Sequence, residues 1–350
     1  MISDTIHIVV SSNENYLPGV FVTLGSLLDS ASTSSTSAFH LHVLDTGITS
    51  AGRAKLSAFI RRFPNAELCF HTIDQTGFTG LRRDYGGGFS AYARLLMGSL
   101  IDAPRCVYLD VDILVLKDVT ELFHRDMDGR IMFAVRDYEP ASGKPATLDH
   151  DCPYMTPEES SKLPYYVTGI LLCDLDAWRA FGTENKSFGL MRQFPSELKA
   201  WDQTVLNYVL RDHTGELHRD WARYIDSNPF VENANYHYIS RRKPWDKVKF
   251  PPQTLLWHAY YDIRVRPHYR YHKPLKTRVA NICWYLRTFV FSFGFAGLYL
   301  HFLRKRGTPE NILAAKRVLL RSYRHHILHG LDPQSRAVLD NLKHHWKFPD

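Results

Sequence analysis

Two aspartates set two residues apart, Asp110 and Asp112, interrupt the apolar run from Val107 to Leu116. A buried carboxylate without a partner is costly, and two close together repel. A hard divalent cation such as Mn²⁺ or Mg²⁺ resolves both problems, because it takes carboxylate oxygens as ligands. If the run is one buried strand, its period of two turns both carboxylates to one side, as a chelate requires. The plainer reading is that one Asp caps a turn and the other pairs with an arginine. Other groups suited to chemistry stand at segment ends. His258 closes the short apolar run Leu255-Leu256-Trp257, which reads as a strand. Asp202 and Gln203 open a helix after Trp201, where the plain role of Asp202 is capping. Arg94 lies one turn into a helix that follows Gly86-Gly87-Gly88. That glycine triplet lacks the spacing of a phosphate-cradling loop and reads as a hinge.

The elements that would position these groups alternate in type. Residues 5–12 read as a buried strand. A helix follows with Val20, Leu24, Leu27 and Leu28 on one face, then strands at 39–44 and 67–72 with a helix between them marked by Leu56, Phe59, Ile60 and Phe63. This pattern predicts an α/β fold with a doubly wound sheet, in which ligands bind beyond the carboxyl ends of the strands. Further strands are predicted at 131–136, ending at Asp137, and at 165–175, with Gly169 at the middle where another group can approach closely.

Composition narrows the class. The chain has 350 residues, 45% hydrophobic and 23% charged, which is an ordinary globular balance. Its five cysteines never form a CxxC pair, so a structural zinc and a disulfide framework are both unsupported and a reducing compartment is expected. No basic segment followed by an apolar one marks a secretory signal near residue 1. The net charge of +7 is uneven, since residues 276–350 hold 13 Lys and Arg against 4 Asp and Glu. The body is therefore close to neutral, which argues against a nucleic-acid partner. Within the basic stretch, Thr288 to Leu303 is aromatic and aliphatic between arginines, and too short to span a bilayer. Next, Ile312, Ala315, Leu319, Tyr323 and Ile327 form a helical stripe opposite Lys316, Arg317, Arg321 and Arg324. Such a helix suits an anionic membrane surface. The expected division is a main domain at 1–275 and a basic helical membrane-association region at 276–350.

In order along the chain, these segments resemble glycosyltransferase family 8, the retaining GT-A group that includes bacterial lipopolysaccharide and capsule galactosyl- and glucosyltransferases. The resemblance covers roughly residues 5–270. Ile8 to Tyr16 matches the family's first strand and uridine loop, with Ser11, Asn13, Asn15 and Tyr16 at donor positions. Ser90-Ala91-Tyr92-Ala93-Arg94 matches the helix whose arginine reaches the donor. Tyr108-Leu109-Asp110-Val111-Asp112 matches the metal motif, with Val111 against the ribose. Asp202-Gln203 matches the pair that binds the donor sugar and lies below the anomeric carbon, and Asp137 aligns with an acceptor-side acid. His258 is matched to the third metal ligand. Lys243-Pro244-Trp245 precedes that histidine, so Arg266 is the stand-in for the family's diphosphate-gripping lysine, with Arg264 and Lys273 as alternatives. Val167 and Thr204 depart from the family's usual asparagine and acid.

The resemblance implies Mn²⁺ or Mg²⁺ held by Asp110, Asp112 and His258. It implies transfer of galactose or glucose from a UDP-sugar to a saccharide acceptor on lipopolysaccharide or another lipid-linked glycan. The enzyme would work in the cytoplasm, on the inner face of the membrane. Two alternatives stand beside it: a degenerate, non-catalytic UDP-sugar-binding protein, and a phosphatase that also places DxD after an apolar strand.

Overall fold

Strand β1 (Ile6–Ser12) is buried because its side chains alternate between two apolar layers. Ile6, Ile8 and Val10 enter a core that helix α1 (Leu17–Ser30) completes, while Val9 enters a second core on the opposite face. A strand covered on both faces reads as a near-continuous apolar run, which is the pattern of residues 5–12. The predicted stripe of α1 is fully used: Val20, Leu24, Leu27 and Leu28 are all buried. Truncating Leu24 to Ala would cost about 2–5 kcal/mol. Pro18 sits in the first turn of α1, where its missing N–H leaves no bond unmade.

This computed structural model describes residues 5–31, 37–81, 83, 88–138, 144–148, 155–194, 200–224, 230–239, 243–246, 253–271 and 333–346. Strands β2 (Phe39–Asp45) and β3 (Ala66–Thr72), with helix α2 (Ser50–Ile60) between them, complete the expected βαβαβ half. The Thr49 hydroxyl caps α2 by accepting from Gly52 N. Strands β4 (Arg105–Leu109), β6 (Met132–Arg136), β7 (Tyr166–Asp174) and β8 (Thr214–Leu217) extend the sheet in the order β3-β2-β1-β4-β7-β6-β8. β1 runs parallel to β2 and β4, and β7 runs antiparallel to both β4 and β6, so the sheet is mixed. Connections leave in opposite directions on the two sides of β1. The carboxyl ends of β1 and β4 therefore flank a crevice of the kind that binds ligands.

Two local expectations are corrected. The run from Val107 to Leu116 is not one strand. After β4 the chain pairs once more, Asp110 N donating to Gly169 O at 2.7 Å, and then turns. Ile113 and Leu114 form β5 in a separate small sheet, ordered β5-β10-β9, with β9 at Arg223–Tyr224 and β10 at Tyr236–His237. Hydrophobicity alone does not report a turn inside an apolar run, although aspartates are turn formers. The second correction concerns Leu255 to His258, which lies in a helix (Gln253–Tyr260) rather than a strand. Leu256, Trp257 and Tyr260 are buried at helical spacing, and a four-residue apolar run cannot distinguish the two states. Tyr260 donates to Asp29 Oδ2 at 2.6 Å and Arg264 Nε to the same oxygen at 2.8 Å, so this segment is fastened to α1.

Near the end of the chain, helix Pro333–His345 returns to the main body. Leu339, Leu342 and Trp346 are part of the α1-side core, and Trp346 meets Tyr260 edge-on at 5.1 Å. No described helix is long and apolar enough to cross a membrane. Thr288 to Leu303 and the stripe from Ile312 to Ile327 lie outside the described residues.

Candidate active site

The cleft opens at the carboxyl ends of β1 and β4, and the turn after β4 supplies its centre. Asp110 and Asp112 project into it together with His237. The pairing of β10 with β5 sets His237 opposite Ile113, directly after Asp112, and Tyr238 N donates to Asp112 O at 2.9 Å. His237 Nε2 lies 3.2 Å from Asp112 Oδ1 and 3.6 Å from Asp110 Oδ2. One ligand atom from each of the three residues falls within 4.8 Å of the other two. Gly169 makes room for the ring: a Cβ there would stand 2.2 Å from His237 Cε1. The predicted close approach at this glycine is therefore made by an imidazole.

Each carboxylate also has a cationic partner. Arg94, 4% exposed, donates from Nη2 to Asp110 Oδ1 at 2.8 Å, and its Nε lies 2.9 Å from Asp202 Oδ2. Its guanidinium packs over the Tyr108 ring, 4.3 Å from the centroid, and the Tyr108 hydroxyl donates to the same Asp110 oxygen at 3.0 Å. One arginine thus ties the metal motif to the helix Trp201–Val209, and Asp202 is an ion-pair partner rather than a cap. Lys243 donates from Nζ to Asp112 Oδ2. Burial works against ionisation of Asp110 and Asp112, but Arg94 on one and Lys243 and His237 on the other hold both below the usual carboxylate range. Burial would also lower His237, and the flanking carboxylates outweigh it, pushing the ring up to about 9.

These residues fit a divalent cation on chemistry and on satisfaction. Two carboxylates and an imidazole are a suitable donor set for Mn²⁺ or Mg²⁺. Asp112 Oδ1 is buried with no hydrogen bond among the described residues and faces His237 Nε2 at 3.2 Å, so the two ligand atoms are turned to one point.

The sequence profile of glycosyl transferase family 8 matches residues 7–249. The chain belongs to glycosyl transferase family 8. Among relatives, the general stress protein A of Bacillus subtilis (strain 168) is 27% identical over 281 residues, covering 73% of this chain and 93% of its own. The lipopolysaccharide 1,2-glucosyltransferase of Escherichia coli (strain K12) is 26% identical, covering 50% of this chain and 52% of its own. A crystal structure of the galactosyltransferase LgtC with donor and acceptor sugar analogues superposes with a TM-score of 0.58 at 24% identity, covering 69% of this chain and 89% of LgtC. That likeness is one of fold, and the mixed seven-stranded sheet is consistent with the GT-A architecture expected of this glycosyltransferase.

The family 8 cleft gathers most of the residues singled out from sequence. Ser11, Tyr16, Arg94, Val111, Asp202, Gln203 and Asp137 all line it. Asn13 stands just behind the lining, its Nδ2 donating to Ser90 Oγ at 3.2 Å and its Oδ1 accepting from Asn15 N at 3.0 Å. Asn15 is not among the lining residues. His258 does not join the aspartates; its ring packs against Trp257 on the helix Gln253–Tyr260. His237 stands in the position assigned to it. Arg266 is also elsewhere, 60% exposed and paired with Asp262, while Arg264 is committed to Asp29 and Lys273 lies outside the described residues. Lys243 lines the cleft instead, beside Asp112. The signal for both was present: His237 precedes Lys243-Pro244-Trp245 by six residues, the order the family resemblance called for. Tyr224, whose hydroxyl donates to Asp137 Oδ1, gave no sequence signal.

Proposed function

We propose that this glycosyltransferase moves a hexose, galactose or glucose, from a UDP-hexose to a saccharide acceptor with retention of configuration. The observation that carries the proposal is the convergence of Asp110, Asp112 and His237, with Lys243 beside them, at the switch point of the sheet. Asp110, Asp112 and His237 would hold a divalent cation, Mn²⁺ or Mg²⁺. When bound there, the cation supplies Lewis acidity to the departing diphosphate. Lys243 adds a positive charge at the same rim, where negative charge develops as the sugar leaves. Tyr16, edge-on to Trp245 at 5.5 Å, offers an aromatic wall beside Ser11 for the base.

On the sugar side, Asp202, ion-paired with Arg94, can accept hydrogen bonds from hexose hydroxyls. Gln203 Oε1 accepts from Thr168 N at 3.3 Å, which orients the amide. An amide is a poor nucleophile, so attack by the acceptor on the face the diphosphate leaves is favoured over a covalent intermediate. Asp137, oriented by Tyr224, faces the acceptor side.

The glucosyltransferase relative acts on lipopolysaccharide by its name, and LgtC was crystallised with sugar analogues. For this chain we propose an acceptor on lipopolysaccharide or another lipid-linked glycan, reached at the cytoplasmic membrane face through residues 276–350. Replacing Lys316, Arg317, Arg321 and Arg324 by Glu is expected to abolish binding to anionic vesicles and leave binding to neutral vesicles unchanged. Equal co-sedimentation of both proteins with anionic vesicles would remove the membrane role. The decisive test of the chemistry is donor hydrolysis with Mn²⁺ and no acceptor, across UDP-galactose, UDP-glucose and other nucleotide sugars. Hydrolysis of one UDP-hexose, abolished by EDTA, is expected. Calorimetry with UDP and Mn²⁺ separates a binding-only protein from one that has lost donor recognition.

A further inference from the structure

On the sheet face opposite α1, away from the cleft, four histidines stand on three adjacent strands. His7 on β1 is the register partner of His40 on β2, and two residues further along β2 comes His42. His71 lies on the edge strand β3, opposite Leu44. The period of two puts all four side chains on one face. His7 Nδ1 and His42 Nε2 are 3.0 Å apart, His42 Nδ1 and His71 Nε2 are 3.0 Å apart, and the His40 ring lies 4.3 Å from that of His42. One ring nitrogen from each of His7, His40 and His42 falls within 4.8 Å of the others.

We propose that His7, His40 and His42 form a second metal site, selective for an imidazole-preferring transition ion such as Zn²⁺. Tetrahedral zinc with nitrogen ligands at about 2.0–2.1 Å separates neighbouring nitrogens by about 3.3 Å. The existing His7–His42 spacing needs little movement to reach that value. His42 is 4% exposed and held between strands, so its ring is fixed before any ion arrives. With Nε2 on the metal, its proton resides on Nδ1 and is donated to His71 Nε2, the kind of outer hydrogen bond that orients a ligating histidine. His7 and His40 are half-buried, which leaves water to complete the coordination.

The protonation state suits this role. Burial lowers His42 to about 3, with the neighbouring imidazoles adding to the effect, and lowers His7 and His71 as well. Near neutral pH His7 and His42 carry lone pairs rather than charge, so the ion displaces no proton from these two ligands. Imidazole donors without a carboxylate favour Zn²⁺, Ni²⁺ or Cu²⁺ over Mn²⁺ and Mg²⁺. The two clusters would then sort ions by ligand type. The proposal uses none of the cleft residues, so it stands or falls apart from the transfer reaction.

The test uses the full chain carrying Asp112→Asn, to disable the cleft, and titrates metal-free protein with Zn²⁺ against a chromophoric chelator near neutral pH. One Zn²⁺ per chain is expected, with Mn²⁺ failing to compete, and affinity falling at least about tenfold in His40→Gln and in His7→Gln. Both histidines are half-buried, and thermal melting without metal checks that each variant folds. Cu²⁺ bound in place of zinc should show imidazole nitrogen couplings in its electron paramagnetic resonance spectrum, and these should diminish in His40→Gln. No zinc bound, or zinc bound equally well by all three proteins, would overturn the site. So would zinc that binds the wild-type chain but is lost in Asp112→Asn, since the ion would then belong to the cleft.

Discussion

The cleft cluster, gathered where the turn after β4 meets the small sheet, and the histidine row on β1 to β3 hold their imidazoles in opposite states. In the cleft, His237 is fully enclosed but faces Asp110 and Asp112, and the carboxylates outweigh the cost of burying its charge. In the row, His42 is enclosed among other imidazoles with no carboxylate against it, and burial wins. Depth is similar in the two places; the sign of the neighbouring charge decides. The same contrast separates their ligand chemistry, since one cluster is rich in oxygen donors and the other offers nitrogen alone. It also separates their structural demands. The cleft needs Arg94 and Lys243 to offset its acids, whereas in the row burial lowers His7, His42 and His71 away from the charged form.

The largest expected effect breaks the cleft side of this contrast. Asp112→Asn removes a charged donor and leaves Lys243 buried without its acid, and UDP-hexose hydrolysis should fall by more than about 10³-fold. Retention of Mn²⁺-dependent turnover by that variant would end the assignment. Lys243→Ala keeps all three metal donors and removes only the rim charge, so a loss of about 10²-fold is expected, chiefly in kcat. A loss as large as that of Asp112→Asn would mean that Lys243 organises the aspartates rather than acting on the leaving group. By the same logic, His40→Gln should leave transfer within about twofold of wild type, because the row supplies nothing to the cleft.

Arg94→Met tests the offsetting charge directly. It leaves the buried Asp202 and the half-buried Asp110 without their shared partner, and unfolding free energy should drop by about 3 kcal/mol in denaturant titration. The protein would need to keep its wild-type midpoint for the charge argument to fail. Gly169→Ala acts on the same wall through space alone. A methyl group 2.2 Å from His237 Cε1 has to push the ring aside, so Mn²⁺ affinity should weaken by about 10–100-fold, with a smaller loss of stability. Unchanged Mn²⁺ binding would remove His237 from the ligand set.

What was legible from sequence follows a physical division. The β1-to-β3 half could be read because its strands are covered on both faces and its helices carry apolar faces at fixed spacing. The aspartates could be read because two acids in an apolar run demand a compensating cation. The turn between β4 and β5 was hidden because every flanking residue is apolar in either arrangement. His237 was hidden because β10 is only two residues long and has no periodicity to anchor it, so His258, at the end of a more conspicuous apolar run, drew the assignment. Lys243-Pro244-Trp245 follows His237, the histidine that the fold sets beside the aspartates, and was read against His258 instead. Tyr224 lies on an equally short strand, and its contact with Asp137 spans 87 residues of sequence, beyond the reach of local pattern.

The finest test of the contrast needs no activity. In EDTA, the two clusters should bend the pH dependence of stability in opposite directions. The unfolded value of His42 is 6.5 and its folded value about 3, so between them the unfolded chain binds a proton that the folded chain refuses. Stability is therefore lost as pH falls through that window, with an upper limit near 1.4 kcal/mol per pH unit for one proton. His237 runs the other way: its folded value is about 9, and the stability it adds is full below 6.5 and lost as pH rises through 9. Asp110 and Asp112, lowered in the folded chain, contribute an acid loss of their own, but below the unfolded carboxylate value of 3.8. The interval from about 6.5 down to 4 is thus shared by the histidine row and His268, which burial also lowers, and the His42 share is isolated by substituting that residue alone. Denaturation midpoints taken across pH should fall less steeply in that interval for His42→Gln, and less steeply above neutrality for His237→Gln. If either substitution flattens the limb assigned to the other, neighbouring charge does not set these two imidazoles apart.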